Sequence, residues 1–262
     1  MSGWTLTSRR WGNGDPVVFL HGLGASSHYW DRLAGLGGSY SGTAPDLLGF
    51  GRSPKPPNAA YDVDTHLEAL TLLFDVPGFV VAHSTGAILA AALAARRPDL
   101  VTGLLLLGLP AYPDQATARD EVGNLGLLAR LTADGRPVAA LLCNAMCRVR
   151  PLATALAPLV ARDVPRAIAA DWTQHTWPSY SRTLIAVVLG HRVVPDLAAA
   201  RCPVIALTGR SDTTAPARHL EAAAASLASR NPPVEVRVVE GDHHLAIRQA
   251  PLVHAVLEQR RR

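Results

Sequence analysis

The sequence predicts an α/β fold: a mostly parallel twisted sheet flanked by helices, with a helical cap inserted late in the sheet. Three observations predict it. Short apolar runs bounded by turn residues recur at Val17–Leu20, Phe79–Ala82, Leu104–Leu107 and Val204–Leu207. Apolar on both faces, such runs suit strands of a parallel sheet covered on both sides. Helical patterns over Asp64–Phe74, Gly86–Arg97 and Pro216–Ser229 stand between the runs, and that alternation implies right-handed crossovers in an open sheet. From residue 110 to 200 the rhythm breaks into helical stretches punctuated by Pro137, Pro151, Pro158, Pro165 and Pro178. An insertion of that size between two strands is read as a cap over the strand ends. The expected division is therefore a body of residues 1–110 and 200–262 and a cap of residues 111–199.

Taken in order, each element has its reason. Val17–Leu20 opens the sheet and is followed by "H-G-L-G", residues 21–24, whose glycines allow a tight turn and leave amide N–H groups available. A poorer strand precedes "D-L-L-G-F-G-R-S", residues 46–53. Phe79–Ala82 runs into "H-S-T-G" and then the alanine-rich helix. Val204–Leu207 leads into "T-G-R-S-D-T-T-A-P", residues 208–216. "V-E-V-R-V-V-E", residues 234–240, alternates in polarity, suits a strand nearer an edge, and ends in "G-D-H-H-L". Ligands of open α/β sheets bind beyond the carboxyl ends of the strands, where all these polar segments fall.

Composition bounds the partners. With 262 residues and 48% hydrophobic residues there is material for a sizeable core. The most apolar window, Val76 to Ala95, is interrupted by Pro77, Gly78, His83, Ser84 and Gly86, so no spanning segment is expected. The N-terminal arginine pair is not followed by an apolar stretch, which argues against a secretory signal and for a cytoplasmic protein. The net charge of +4 comes from dispersed arginines such as Arg9–Arg10, Arg96–Arg97 and Arg148/Arg150, without aromatic interleaving; that is a solvated surface and not a nucleic-acid site. Cys143, Cys147 and Cys202 read as buried reduced thiols. No zinc-ligand spacing and no phosphate-binding glycine loop is present, so no cofactor is expected. The expected partner is a small-molecule substrate, with no nucleic acid, no membrane, and a homodimer as an open alternative.

A serine, an aspartate and a histidine in that chain order, each at a carboxyl strand end, can converge on one point. On Ala82-His83-Ser84-Thr85-Gly86, together with the motifs above, the chain resembles the α/β-hydrolase superfamily, in particular its capped serine hydrolases: haloperoxidase-like esterases and C–C bond hydrolases. Alanine stands where the elbow motif G-x-S-x-G has its first glycine. The resemblance implies Ser84 as nucleophile, Asp212 as the acid, with Asp114 as rival, and a histidine as base. Between the adjacent histidines it favours His244 over His243, because Gly241 lies three residues before it and Pro251 seven after. An extended loop, in which neighbouring side chains point to opposite sides, would let one of them reach Ser84. The backbone N–H groups of Leu23 and Thr85 would form the oxyanion hole. Asp46 and His21 read as structural, pinning their loops, and His83 as turned toward core or cap. In the cap, "D-W-T-Q-H-T-W-P-S-Y" gathers Trp172, His175, Trp177 and Tyr180 as a pocket wall for a hydrophobic acyl group, or as packing.

A serine at the elbow argues against haloalkane dehalogenases and epoxide hydrolases, which need a carboxylate there. Leu245, where C–C hydrolases usually show tryptophan, argues against that chemistry. The expected function is a cofactor-independent serine hydrolase of an ester, thioester or lactone of a small to medium apolar acid. The alternatives are a C–C bond hydrolase, a perhydrolase, and a non-hydrolytic catalyst or ligand-binding protein that keeps the triad.

Overall fold

The apolar runs form the middle of one sheet. A computed structural model describes residues 3–160 and 164–261, without the side chains of residues 128, 160, 260 and 261. Among the described residues the strands are β1 (Ser8–Trp11), β2 (Asp15–Leu20), β3 (Tyr40–Pro45), β4 (Gly78–His83), β5 (Val101–Leu107), β6 (Val204–Gly209) and β7 (Val234–Val239). They pair in the order β1-β3-β2-β4-β5-β6-β7, all parallel except β1 against β3. This is the α/β-hydrolase architecture that the motifs imply.

Strand periodicity divides the core into two layers. Val18, Leu20, Val80, Ala82, Leu104, Leu106, Val204 and Ala206 point to one face. Their neighbours Val17, Phe19, Val81, Leu105, Leu107, Ile205 and Leu207 point to the other. On the first face lie α1 (Val63–Thr71) and α2 (Thr85–Arg96), whose residues from Thr85 to Ala94 are all buried. Alanines make that possible, since small side chains let the helix lie close to the strands. On the second face Trp30 and Leu33 meet Val253 and Leu257 of the C-terminal helix Ala250–Arg261. Each buried leucine or phenylalanine contributes on the order of 1.5–3 kcal/mol, so the central strands anchor everything at their carboxyl edge.

Between β5 and β6 no strand occurs among the described residues. The chain there forms α3 (Gln115–Asn124), α4 (Leu127–Ala133), α5 (Pro137–Arg148), α6 (Arg150–Val160), α7 (Arg166–Asp171), α8 (Trp177–Thr183) with a π-helical continuation Leu184–Leu189, and α9 (Val193–Ala199). Tyr112, Ala118, Val122, Ala133, Leu184 and Val188 form a small core of their own. By contrast Val187, Val193 and Leu197 join the main core, and α9 packs on α2. The end of this helical region thus belongs to the flank of the sheet. None of the described helices is long and apolar enough to cross a membrane.

Departures from the sequence reading have simple causes. Strand β1 is an edge strand whose arginines Arg9 and Arg10 face solvent, so it carries no apolar alternation to find. The segment at 234–240 is the opposite edge, as expected, but ends at Val239. Only Cys202 is buried; Cys143 and Cys147 are half-buried, and the three are unpaired.

At Gly86 a side chain has no room. A Cβ there would stand 2.6 Å from the backbone carbonyls of Leu20 and His21, and β2, paired on both sides in the sheet, cannot give way. Gly86→Ala should therefore lower stability by about 1–3 kcal/mol or more, read as a shifted denaturant midpoint. An unshifted midpoint would show that β2 and α2 are not in the close contact described.

Candidate active site

Ser84 sits between β4 and α2 at φ 54°, ψ −120°. Tyr61 is the one other described non-glycine residue at positive φ. Such a conformation costs about 1–3 kcal/mol and persists only where the surroundings enforce it. Here they do. The Ser84 N–H donates to Leu107 O at 2.9 Å, and a Cβ on Gly22 would lie 3.0 Å from the Ser84 Cβ. The side chain thus stands above the sheet at the N-terminus of α2 and lines a cavity of about 250 Å³.

Asp212 follows β6, its side chain fully buried. Its Oδ1 accepts from the N–H groups of Thr214 (2.9 Å) and Ala215 (2.7 Å), leaving Oδ2 to a histidine at 2.8 Å. That histidine is His243. The expectation that His244 meets the acid is corrected by the loop's shape. β7 stops at Val239, Gly241 turns at φ 140°, and the Asp242 carboxylate caps the His244 N–H at 3.0 Å. The segment is a turn and not an extended strand, so the register moves by one. His244 instead precedes the one-turn helix Leu245–Arg248, where its carbonyl accepts from Ile247 and Arg248. Both imidazoles line the Ser84 cavity. Because Nδ1 of His243 donates to Asp212, its Nε2 carries the lone pair in the neutral ring. Asp114, the rival acid, is an exposed N-cap of α3 that accepts from Thr117 N–H at 2.8 Å.

Two further histidines wire the loops together. His83 is buried and stacked on Tyr29 at 4.4 Å, and its Nε2–H donates to the His243 carbonyl at 2.8 Å. Burial, then the neighbouring His243 and His244, hold it well below the usual imidazole range, so it is a neutral donor. His21 donates from Nδ1 to Gly22 O and accepts at Nε2 from Leu47 N–H, both at 2.8 Å. Burial lowers its affinity for a proton as well, against the pull of Asp46. Asp46 accepts from the N–H groups of Ser27 and Arg52, each at 2.7 Å. Burial opposes its ionisation, but these backbone donors hold the carboxyl below its usual range.

Leu23 and Thr85 line the same cavity as Ser84. Leu23 occupies a turn closed by Ala25 N–H to Gly22 O at 3.2 Å, with Gly24 at φ 74°. Thr85 begins α2, where backbone N–H groups have no intrahelical acceptor and the helix dipole is positive.

The four aromatic-segment residues do not act as one wall. Trp172 and Tyr180 line the Ser84 cavity and also an adjoining apolar cavity of about 450 Å³. His175 and Trp177 line only the second, with Leu142, Cys143 and Met146 of α5. Burial pushes His175 down to about 4, so it stands there as a neutral ring, 3.7 Å from the Cys143 thiol. A capping box sets the start of α8: Thr176 Oγ1 accepts from Ser179 N–H and Ser179 Oγ from Thr176 N–H.

Sequence reasoning missed Gly108, Tyr29 and Tyr112. Gly108, at φ 53°, would place a Cβ 2.9 Å from His243 Nδ1 and 3.2 Å from Asp212 Oδ2; only glycine leaves space for that pair. The Tyr112 hydroxyl donates to the Thr214 carbonyl and steadies the acid loop. The "L-G-L-P" after an apolar strand was the available signal for the glycine. Nothing local marks the tyrosines.

A profile of the alpha/beta hydrolase family matches residues 17–255. The probable lysophospholipase BODYGUARD 3 of Arabidopsis thaliana is 40% identical over 109 residues, 38% of this chain and 22% of that protein. Lipase LipV of Mycobacterium tuberculosis is 38% identical over 123 residues, 45% of this chain and 46% of that one. The chain spans less than half the length of either relative. The crystal structure of E-2-(acetamidomethylene)succinate hydrolase superposes with a TM-score of 0.74 at 20% identity, covering 98% of this chain and 94% of that chain, a likeness of fold alone. With the profile match running from β2 into the C-terminal helix, the chain belongs to the alpha/beta hydrolase family.

Proposed function

We propose that the protein is a cofactor-independent serine hydrolase that cleaves an ester, thioester or lactone of a small to medium apolar acid through an acyl-enzyme. One observation carries the reading: a strained serine faces the same cavity as a histidine whose other ring nitrogen is held by a buried carboxylate. Serine alone is a weak nucleophile. His243 Nε2 takes the Ser84 proton as Oγ attacks the carbonyl carbon, and Asp212 stabilises the imidazolium that forms. The oxyanion of the tetrahedral intermediate accepts from the N–H groups of Leu23 and Thr85; removing one such donor costs about 3–4 kcal/mol in comparable enzymes. The imidazolium then protonates the leaving alcohol, thiol or lactone oxygen as the C–O or C–S bond breaks. Water, deprotonated by the same imidazole, attacks the acyl carbon; the bond to Ser84 Oγ breaks, Oγ takes the proton back from the imidazolium, and the acid leaves.

The cavities support the substrate class. The space at Ser84 is small, and the adjoining one is walled by Leu142, Met146, Trp172 and Trp177. An apolar acyl chain can run from the first into the second. Relatives named as a lipase and a probable lysophospholipase agree with acyl ester substrates. We assign helices α3 to α8 the role of a cap setting substrate choice, tied down where Asp171 meets Ser26 (2.5 Å) and His28 (2.6 Å) and where Arg182 donates to the carbonyls of Pro57 and Ala59.

On a short activated ester, Ser84→Ala and His243→Ala should each lower kcat by on the order of 10³-fold or more, and His244→Ala far less. A larger loss from His244→Ala would overturn the assignment of the base. Trp177→Ala should leave acetate-ester hydrolysis near the parent rate and shift the preferred acyl length. A uniform loss on all chain lengths, with a lower Tm, would show that Trp177 only packs the cap.

A further inference from the structure

The helices above the second cavity carry an apolar face turned away from it. On α5, Val138, Leu141 and Ala145 are exposed and recur at helical spacing, while Cys143 and Met146 line the cavity and Leu142, also exposed, stands at its edge. Leu141 is 68% exposed, and on α6 Leu152 is 59% exposed. Leu127 at the start of α4 is 75% exposed. Elsewhere on the described surface, exposed large hydrophobics stand singly, as at Leu36, Leu72, Val76, Ile185 and Leu252. Scattered singles need no explanation; a run of consecutive helices with apolar outer faces does.

Charge selects the occupant. Residues 125–160 contain Arg130, Arg136, Arg148 and Arg150 but only one acid, Asp134. Arg150 is engaged with the His175 carbonyl at 2.7 Å, and the other three are exposed. A twofold contact with a second copy would set these arginines against themselves with one aspartate per chain to pair them. An apolar face rimmed by arginine instead matches an anionic lipid surface, on which amphipathic helices lie with their leucines among the acyl chains.

We infer that the outer face of α4, α5 and α6 seats the protein on an anionic lipid surface. Leu142 belongs both to this face and to the cavity wall, so α5 is the partition between lipid and the acyl cavity. The expectation of no membrane partner rested on the lack of a spanning segment, and an interfacial face needs none. Docking does not depend on the chemistry assigned to Ser84 and is tested without it. In vesicle flotation, the protein should rise with phosphatidylcholine vesicles containing phosphatidylglycerol, less with phosphatidylcholine alone, and less again at high salt. The double substitution Leu141→Glu, Leu152→Glu should reduce the bound fraction on the order of tenfold or more, with hydrolysis of a water-soluble short ester unchanged. Leu127→Ser, at the most exposed position, is the milder variant should the double one fail to fold. Flotation absent on both vesicles, or equal for parent and variants, would overturn the inference. So would a parent dimer in analytical ultracentrifugation that these substitutions dissociate, which would assign the face to a second copy.

Discussion

The constraint on which the rest of the site depends is the backbone of Ser84. At φ 54° an L-residue is held against its own preference, and three features of the fold hold it. The strand before it is locked between β2 and β5, the helix after it is buried along its first ten residues, and Gly22 lies against its Cβ. The strain is therefore offset by core packing elsewhere, as at functional sites generally. What it yields is a side chain raised above the sheet and an amide at the positive end of α2, both at one point of one cavity.

Around that point the loops are bonded to one another through buried side chains. His21 joins the Gly22 turn to the 46–53 loop, and His83 joins the elbow to the His243 loop. Both rings are buried and neutral, so His83 as donor and His21 as donor and acceptor bond directionally without adding charge beside the Asp212–His243 pair. Asp46 does the converse with an ionised carboxylate satisfied by backbone N–H groups. A buried polar network of this kind fixes one geometry because each missing bond would leave an unsatisfied group in a low dielectric.

Much of this arrangement was legible in the residues because strand periodicity is local. The runs at Val17, Phe79, Leu104 and Val204 are buried on both faces and read plainly, and the motifs that follow them had to lie at the same sheet edge. Structural roles for His21 and Asp46 followed from their places in those loops. The choice between His243 and His244 did not follow, because it depends on a turn made by Gly241 and capped by Asp242, which alternation cannot see. Gly108 and Tyr112 escaped for a related reason: their partners, His243, Asp212 and Thr214, are over 100 residues away in sequence. Strand β1 escaped because its four residues, with two adjacent exposed arginines, show no apolar alternation.

The helical region above the sheet divides by depth. Its inner surface supplies Trp172, Tyr180, His175 and Trp177 to two joined cavities, and over α4, α5 and α6 its outer surface exposes leucines where a water-facing helix would be polar. The most direct measurement is a crystal structure of the protein after reaction with an alkyl fluorophosphonate. The expected adduct has phosphorus bonded to Ser84 Oγ, the phosphonyl oxygen accepting from the N–H groups of Leu23 and Thr85, the alkyl chain directed toward Trp172 and Tyr180, and His243 Nε2 beside it. An adduct on another residue, or one approached by His244 while His243 stands away, would contradict that expectation.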